Sequence, residues 1–333
     1  MPASTQGLGA AAGAVGVGRW LLLCAVLFAV ACEDLIRAGR AAPEGPGEVA
    51  PAPAGDATPP AGAAAPAATA NGSPDLLGAP AWEGERSGVA EELGEIFTDE
   101  GLEGVIVVHD LRTGATLRSD SLRAARRIPP GATFEILGAL VALEAGVVEG
   151  VFDPIAPGPE GGGKPSGADE DPPTLASAFR ASSTADFVEL TRRVGSDDVA
   201  AWVRRAGYGN GEVGGSGGEF WVDGPLEISP DEQIGFLRRL HAGRLPFSSR
   251  SLDAVRQLML LDRGPDWALR GKTAWQRAGR TDQLWFVGWA EREDEAAFFV
   301  IEFRNESPTR DVAILRERIY RRALTRLGLV PQG

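Results

Sequence analysis

The distribution of apolar residues predicts a folded region that begins near Trp82 and opens with a β-hairpin. Residues 88–97 have a helical pattern, and the apolar run 105–108 predicts a strand. The sequence Arg112-Thr113-Gly114 is typical of a turn, and 115–119 predicts the returning strand. After two prolines, the apolar positions within 134–143 predict a buried helix.

The middle of the region is predicted to be helical and its end to contain strands again. Ser229-Pro230-Asp231-Glu232 is a capping box with proline at the first helical position, so a helix is expected to run from there to about residue 240. The remaining predicted elements are helices at 186–193, 197–205 and 252–261, strands at 284–290 and 297–303 joined by a charged turn, and a final amphipathic helix at 310–327.

This order of elements predicts an α+β fold. Strands stand at both ends of the region, and helices lie between them. Since a sheet must bury one face against another layer, we expect the terminal strands to meet in one antiparallel sheet, with the inserted helical region packed beside it.

Residues 1–32 resemble a bacterial export signal. The apolar run 20–31 is too short for a confident membrane span, and Arg19 precedes it. The run ends in small residues followed by Cys32, as in lipoprotein signals, where the cysteine becomes the lipidated first residue of the mature chain. Ordinary cleavage after Ala31 and an uncleaved membrane anchor are the alternatives.

Residues 33–81 are composed mainly of Ala, Pro and Gly, which cannot bury enough apolar surface to fold. We expect this segment to be a disordered tether that holds the domain 82–333 away from a membrane. The expected location is therefore the bacterial cell envelope, on the periplasmic or outer face, with the membrane contacted through the lipid or the N-terminal anchor.

Charge and composition exclude several classes of function. The formal net charge is −13, and no block of Lys or Arg is present, so we expect no nucleic-acid partner. Both cysteines, Cys24 and Cys32, lie in the signal segment, and the two histidines have no metal-site spacing. The glycine-rich segments 158–164 and 209–214 imitate phosphate-binding loops but lack the required strand before them. No metal or cofactor is therefore expected.

An ordered series of short motifs points to a family. The series runs Pro129-Pro130-Gly131-Ala132-Thr133-Phe134-Glu135, Ser182-Ser183-Thr184, Tyr208-Gly209-Asn210, Phe220-Trp221, Lys272-Thr273-Ala274-Trp275 and Trp285-Phe286-Val287-Gly288-Trp289. In this order the domain resembles the class D serine β-lactamases and the related penicillin-binding transpeptidases. The resemblance covers nearly the whole domain, and it implies their fold.

The two residues that perform the family's chemistry are replaced. The family needs Ser-x-x-Lys on one helical turn, so that the lysine, carboxylated in class D enzymes, takes the proton of the serine. The corresponding residues here are Ala132 and Glu135. The only lysines are Lys164 and Lys272, and neither has a serine three residues before it. The inventory therefore excludes acyl-enzyme chemistry of the family type.

The resemblance also implies a ligand groove, whose expected residues are Ser182, Thr184, Tyr208, Asn210, Trp221, Lys272, Thr273, Ala274 and Arg310. Ala274 replaces a family glycine and should narrow the approach of a ligand along the strand. Ser182 is alternatively a helix cap, Thr273 a strand residue and Arg310 a surface charge. Glu135 could pair with Lys272, act as a general base, or lie partly exposed in an unused groove.

Three functions remain open at this point. The first is a non-catalytic pseudoenzyme that binds cell-wall peptide, a β-lactam-like molecule or a protein partner in the envelope. The second is a hydrolase of altered chemistry that uses Glu135 as its base. The third is a structural or regulatory interaction module whose groove is unused. The related antibiotic-sensing receptors keep their nucleophilic serine, so covalent sensing is not expected here.

Overall fold

The computed structural model describes residues 87–155, 171–214, 219–292, 295–307 and 309–330. The expected signal segment 1–32 with Cys32, the expected tether 33–81 and the glycine-rich loop around Lys164 all lie outside these ranges. The predictions made for them stay predictions. Within the described ranges, no helix combines the length and the apolar character that crossing a bilayer requires.

A seven-stranded sheet forms the centre of the domain, in the order β1-β3-β2-β7-β6-β5-β4. Strands from both ends of the domain meet where β2 pairs with β7 in antiparallel register, with Ile106 opposite Ile301. The strands are β1 (Gly88–Val89), β2 (Glu103–Asp110), β3 (Thr116–Arg118), β4 (Leu260–Arg263), β5 (Ala268–Ala278), β6 (Thr281–Arg292) and β7 (Glu295–Asn305).

The helices of the described chain lie mostly between β3 and β4, as the sequence predicted. They are α1 (Glu95–Thr98), α2 (Ser121–Ala125), α3 (Glu135–Glu144), α4 (Leu175–Ala181), α5 (Thr184–Val194), α6 (Ser196–Arg205), α7 (Pro230–His241), α8 (Ser249–Leu258) and α9 (Val312–Arg326). Short 3-10 turns precede α1 at Glu91–Gly94 and α3 at Gly131–Phe134.

Both faces of the sheet are covered, because side chains alternate between the faces along each strand. On β2, Val105 and Val107 belong to the core shared with the inserted helices, which contains α3 and α7. Ile106 and Val108 belong to the second core, where α9 and α1 cover the opposite face. This double cover explains why β2 is an unbroken apolar run instead of an alternating one.

The predicted α+β fold is confirmed, with two corrections. The sheet is mixed, because β1 pairs in parallel with β3, whereas an antiparallel sheet was expected. Residues 88 and 89 form that short strand, so the helix predicted for 88–97 is wrong at its start. The helix predicted at 252–261 begins earlier, at Ser249, because the Ser248 side chain caps it, and ends at Leu258 before β4.

Candidate functional site

Glu135 stands at the first position of α3, where three contacts hold the backbone. The Gly131 N–H donates to the Trp221 carbonyl at 2.8 Å, and the Trp285 indole N–H donates to the Pro129 carbonyl at 3.2 Å. Gly131 has a φ of +54°, a left-handed conformation that glycine adopts without strain. The tight turn after Pro129-Pro130 therefore delivers Glu135 into the core, where its side chain is 0% exposed.

Lys272 of β5 meets Glu135 across the boundary between sheet and helices. Its Nζ lies 2.9 Å from Glu135 Oε2. The same Nζ donates to the Phe179 carbonyl and to Ser182 Oγ, each at 2.6 Å. An ammonium has three N–H groups, so these three oxygens account for its full donor capacity. Lys272 thereby joins α3, β5 and the end of α4, and its side chain is only 5% exposed.

Ser182 occupies the sharp junction between α4 and α5. It is the C-cap of α4 and has a φ of +52°, the one non-glycine residue with positive φ in the described chain. A left-handed conformation is unfavourable for serine, and such residues persist where surrounding contacts hold them. The hydrogen bond from Lys272 is such a contact. Ser182 is therefore both a helix cap and a partner of Lys272.

Burial shifts the pKa of both charged groups toward the neutral forms. Desolvation raises the pKa of Glu135 to about 7, although the positive charge of Lys272 opposes the change. Desolvation likewise lowers the pKa of Lys272, opposed by Glu135. The Glu135 oxygens have no well-aligned hydrogen-bond donor among the described residues, so the carboxylate depends on the ion pair alone. The predicted pairing of Glu135 with Lys272 is present, and the partly exposed alternative is wrong.

Ala132 and Ala274 lie where the 3-10 turn before α3 packs against β5. A Cβ built on Gly131 would lie 3.3 Å from Ala274 Cβ and 2.5 Å from the side-chain oxygen of Gln276. This oxygen is buried and has no hydrogen-bond partner among the described residues. Ala132 is partly buried against the core of the inserted helices. The methyl group of Ala274 and the amide of Gln276 thus fill the space beside the Gly131 backbone.

The Tyr208-Gly209-Asn210 motif organises a loop. The Asn210 amide donates to the Pro225 carbonyl at 2.7 Å, and its oxygen accepts from the backbone N–H groups of Glu212 and Glu227. Gly209 has a φ of +56°, and a Cβ there would lie 2.0 Å from the Glu227 carbonyl oxygen. Tyr208 is fully buried. These contacts explain the motif structurally, while its role toward a ligand stays a prediction.

The other expected groove residues have different surroundings. The Trp221 ring stacks on Phe134 with centroids 4.9 Å apart, and its buried indole N–H has no partner among the described residues. Thr273 is partly buried on β5, and Thr184 is the first residue of α5. Arg310 lies in the loop between β7 and α9, where Nη2 is 3.9 Å from a Cβ built on Gly101.

The structure therefore brings Glu135, Lys272 and Ser182 into direct contact. The contacts given for Arg310 do not connect it to this cluster. Sequence reasoning missed the Phe179 carbonyl, because a backbone oxygen leaves no mark in the sequence. Gln276 was also missed, although its position two residues after Ala274 places both on one face of the strand. In the described part of the chain, no group of three His, Cys, Asp or Glu side chains has the arrangement of a metal site.

Comparisons with known proteins agree with this geometry. The family described as "Penicillin binding protein transpeptidase domain" matches residues 104–325. The β-lactamase OXA-2 of Salmonella typhimurium is 34% identical over 241 residues, which cover 71% of this chain and 84% of that protein.

Two solved structures are similar along nearly their whole length. The class D β-lactamase of Nostoc has a TM-score of 0.64 and 33% identity, and the match covers 72% of this chain and 99% of that one. The class D β-lactamase of Sebaldella termitidis has a TM-score of 0.67 and 26% identity, with 74% and 100% covered. The chain therefore belongs to the family of class D β-lactamases and penicillin-binding transpeptidases.

Proposed function

We propose that this domain is a non-catalytic member of the family that binds its ligand without forming a covalent bond. The observation that supports the proposal is the closed ion pair between Glu135 and Lys272 beside Ala132. A methyl group at position 132 offers no nucleophile, and the amine of Lys272 is occupied by three oxygen atoms.

Ser182 does not supply a replacement nucleophile. A serine hydroxyl attacks efficiently only when a neighbouring base takes its proton. Ser182 Oγ instead accepts a hydrogen bond from the ammonium of Lys272, and this cation has no free lone pair to accept a proton. The geometry therefore supports binding over acyl transfer.

The ligand class is proposed from the relatives. Their printed names describe β-lactamases and a penicillin-binding domain, so a β-lactam-like molecule or the cell-wall peptide is the proposed ligand, with an envelope protein as a further candidate. The proposed location is the cell envelope, with the domain exported and held to a membrane by Cys32 or by the N-terminal segment.

Two alternatives remain distinguishable. A hydrolase that uses Glu135 as its base would require water beside a carboxylate whose side chain is 0% exposed, which argues against it. A structural or regulatory module with an unused groove would show neither turnover nor ligand binding. Turnover of a chromogenic cephalosporin by the purified protein would establish the hydrolase.

Labelling with a fluorescent penicillin tests the absence of acyl transfer. We expect no labelling of the wild type and very little for Ala132→Ser, since an isolated hydroxyl is a weak nucleophile. Ala132→Ser combined with Glu135→Lys should recover slow labelling, and Ala274→Gly should increase it if the methyl group narrows the approach along β5. A wild-type adduct that mass spectrometry maps to a defined serine, such as Ser182 or Ser183, would refute the proposal.

A thermal-shift screen of β-lactams and cell-wall stem peptides tests non-covalent binding. A ligand at one hundred times its dissociation constant adds about 2.7 kcal/mol to the free energy of unfolding, which gives a clear shift of Tm. A boiled or reductively stripped sample is unnecessary as a control, because Lys272→Met should lose the shift while remaining folded by circular dichroism. No shift with any of these compounds would favour the unused-groove alternative.

A further inference from the structure

The ammonium of Lys272 has no donor left for a ligand. Its three N–H groups face Glu135 Oε2, the Phe179 carbonyl and Ser182 Oγ at distances of 2.9, 2.6 and 2.6 Å. A ligand carboxylate that binds Lys272 must therefore displace one of these oxygens. The Phe179 carbonyl belongs to the backbone at the end of α4, whereas the Glu135 carboxylate is held only by the ion pair.

Displacement of an ionised Glu135 by another anion is unfavourable. Two carboxylates would then share one buried ammonium, and the attraction of Lys272 would no longer offset the desolvation of Glu135, whose side chain is 0% exposed. A protonated Glu135 removes the second negative charge. It also gains an O–H donor, which a carboxylate lacks.

We propose that this site binds monoanionic carboxylate ligands together with one proton, which Glu135 takes up as the ligand replaces it on Lys272. The inference rests on the proposed function, and it identifies both the ligand class and the condition for binding. It applies to a β-lactam and to a cell-wall peptide alike, because each carries one carboxylate.

Other charges around the pair do not replace Glu135 in this role. Among the described residues, Lys272 is the charge that acts on the pKa of Glu135, and Glu135 the charge that acts on that of Lys272. Several charged groups on the surrounding elements are engaged in their own ion pairs, namely Glu189 with Arg192 and Arg193, Arg256 with Asp253, Arg270 with Glu291, and Arg277 with Asp282.

The remaining charged groups lie toward the surfaces or ends of the neighbouring helices. Asp186 stands in the first turn of α5. The exposed ones on α4, α6 and α8 are Arg180, Asp197, Asp198, Arg204, Arg205 and Arg250. The raised pKa of Glu135, about 7, agrees with proton uptake in the neutral range, because the carboxylate is ionised above that pH and already protonated below it.

Isothermal titration calorimetry of the full-length chain tests the proposal. Benzylpenicillin and N-acetyl-D-alanyl-D-alanine are the anionic probes, and each titration is run in two buffers of different ionisation enthalpy, which gives the number of protons taken up. We expect about one proton at pH 8 and almost none at pH 5.5. Above the pKa of Glu135, the dissociation constant should rise about tenfold for each pH unit.

Two comparisons isolate the role of Glu135. The methyl ester of benzylpenicillin has no carboxylate, so any binding should occur without proton uptake. Glu135→Gln removes the titrating group, and its affinity for the anionic probes should become independent of pH between 5.5 and 8.5. If this variant does not fold, proton uptake by the wild type still decides the question.

The outcomes separate this inference from the proposed function. Non-covalent binding of either anion at pH 8 without proton uptake would overturn the inference and leave the proposed function intact. A lack of binding by both anions at pH 5.5 would also overturn it, since Lys272 is then free to accept a carboxylate. A covalent adduct with benzylpenicillin, detected by intact mass, would instead refute the proposed function.

Discussion

At the scale of single residues, the Glu135–Lys272 ion pair dominates the energetics of the site. Both side chains are almost completely buried, and the carboxylate lacks a second well-aligned donor. Removing two charges from water costs about as much as their attraction returns, so a buried pair adds little net stability. Removing one partner is different, because it leaves a buried charge without compensation.

We therefore expect Glu135→Ala to lower the free energy of unfolding by about 3–5 kcal/mol, because Lys272 is left buried and unpaired. The double variant Glu135→Leu, Lys272→Met should be close to wild type, since two apolar side chains replace the pair. Urea unfolding of the wild type, the single variants and the double variant checks this by a double-mutant cycle. A double variant as unstable as the single ones would contradict it.

Glu291 shows the opposite electrostatic balance and predicts a dependence on acid. Burial would raise the pKa of this carboxyl, but hydrogen bonds from His241 and Trp289 and the charge of Arg270 outweigh burial and lower it to about 2. A lowered pKa stabilises the folded state above the unfolded-state value of about 4.5, and this contribution is lost as the pH falls toward 2.

Glu291→Gln should therefore lose about 1–2 kcal/mol at pH 7, less than the full pKa difference implies, because solvent screens a side chain that is 25% exposed. At pH 3 the difference from wild type should become smaller. Unfolding measured at both pH values checks the prediction, and an equal difference at pH 7 and pH 3 would exclude the titration of Glu291 as its cause. The exposed Glu317→Gln, on α9, is the matched control.

At the scale of elements, close contact between β5 and β6 sets the position of Lys272. Gly271 pairs with Gly288, and the next pair is Lys272 with Val287. A Cβ on Gly288 would lie 2.1 Å from the Arg270 carbonyl oxygen, a distance that requires the backbone of β5 to move. Glycine at this position therefore allows the two strands to approach and keeps Lys272 within reach of Glu135.

Gly288→Ala should lower the free energy of unfolding by about 2–3 kcal/mol through overpacking. The control Gly94→Ala should change it by less than about 1 kcal/mol, because the nearest atom to its new Cβ is Ser119 Cβ at an ordinary 3.4 Å. Thermal unfolding of the two variants provides the comparison. Equal effects would show that Gly288 is not held by the close approach of β5.

At the scale of the whole molecule, the domain sits behind a segment whose composition predicts export and tethering. If Cys32 is lipidated, the mature protein should partition with membranes, and Cys32→Ala should release it or block its processing. Cell fractionation with immunoblotting of both proteins measures this, and Cys24→Ala is the matched control. Unchanged partitioning and processing of Cys32→Ala would favour an uncleaved anchor.

The sequence by itself determined the properties that depend on local pattern or on inventory. The strong capping box before α7, the apolar run of β2 and the long α9 follow from spacing within single elements, and the structure has all three. The absence of Ser-x-x-Lys is equally a property of the sequence, since no fold can supply a residue that the chain lacks.

Only the tertiary structure decided the contacts between elements that are distant in sequence. The parallel pairing of β1 with β3 depends on where a two-residue strand docks, which its composition does not encode. The Phe179 carbonyl reaches Lys272 because the end of α4 packs beside β5. The pairing of Glu135 with Lys272 was one of several alternatives in the sequence, and burial of both charges, which makes each require the other, became apparent only in the folded chain.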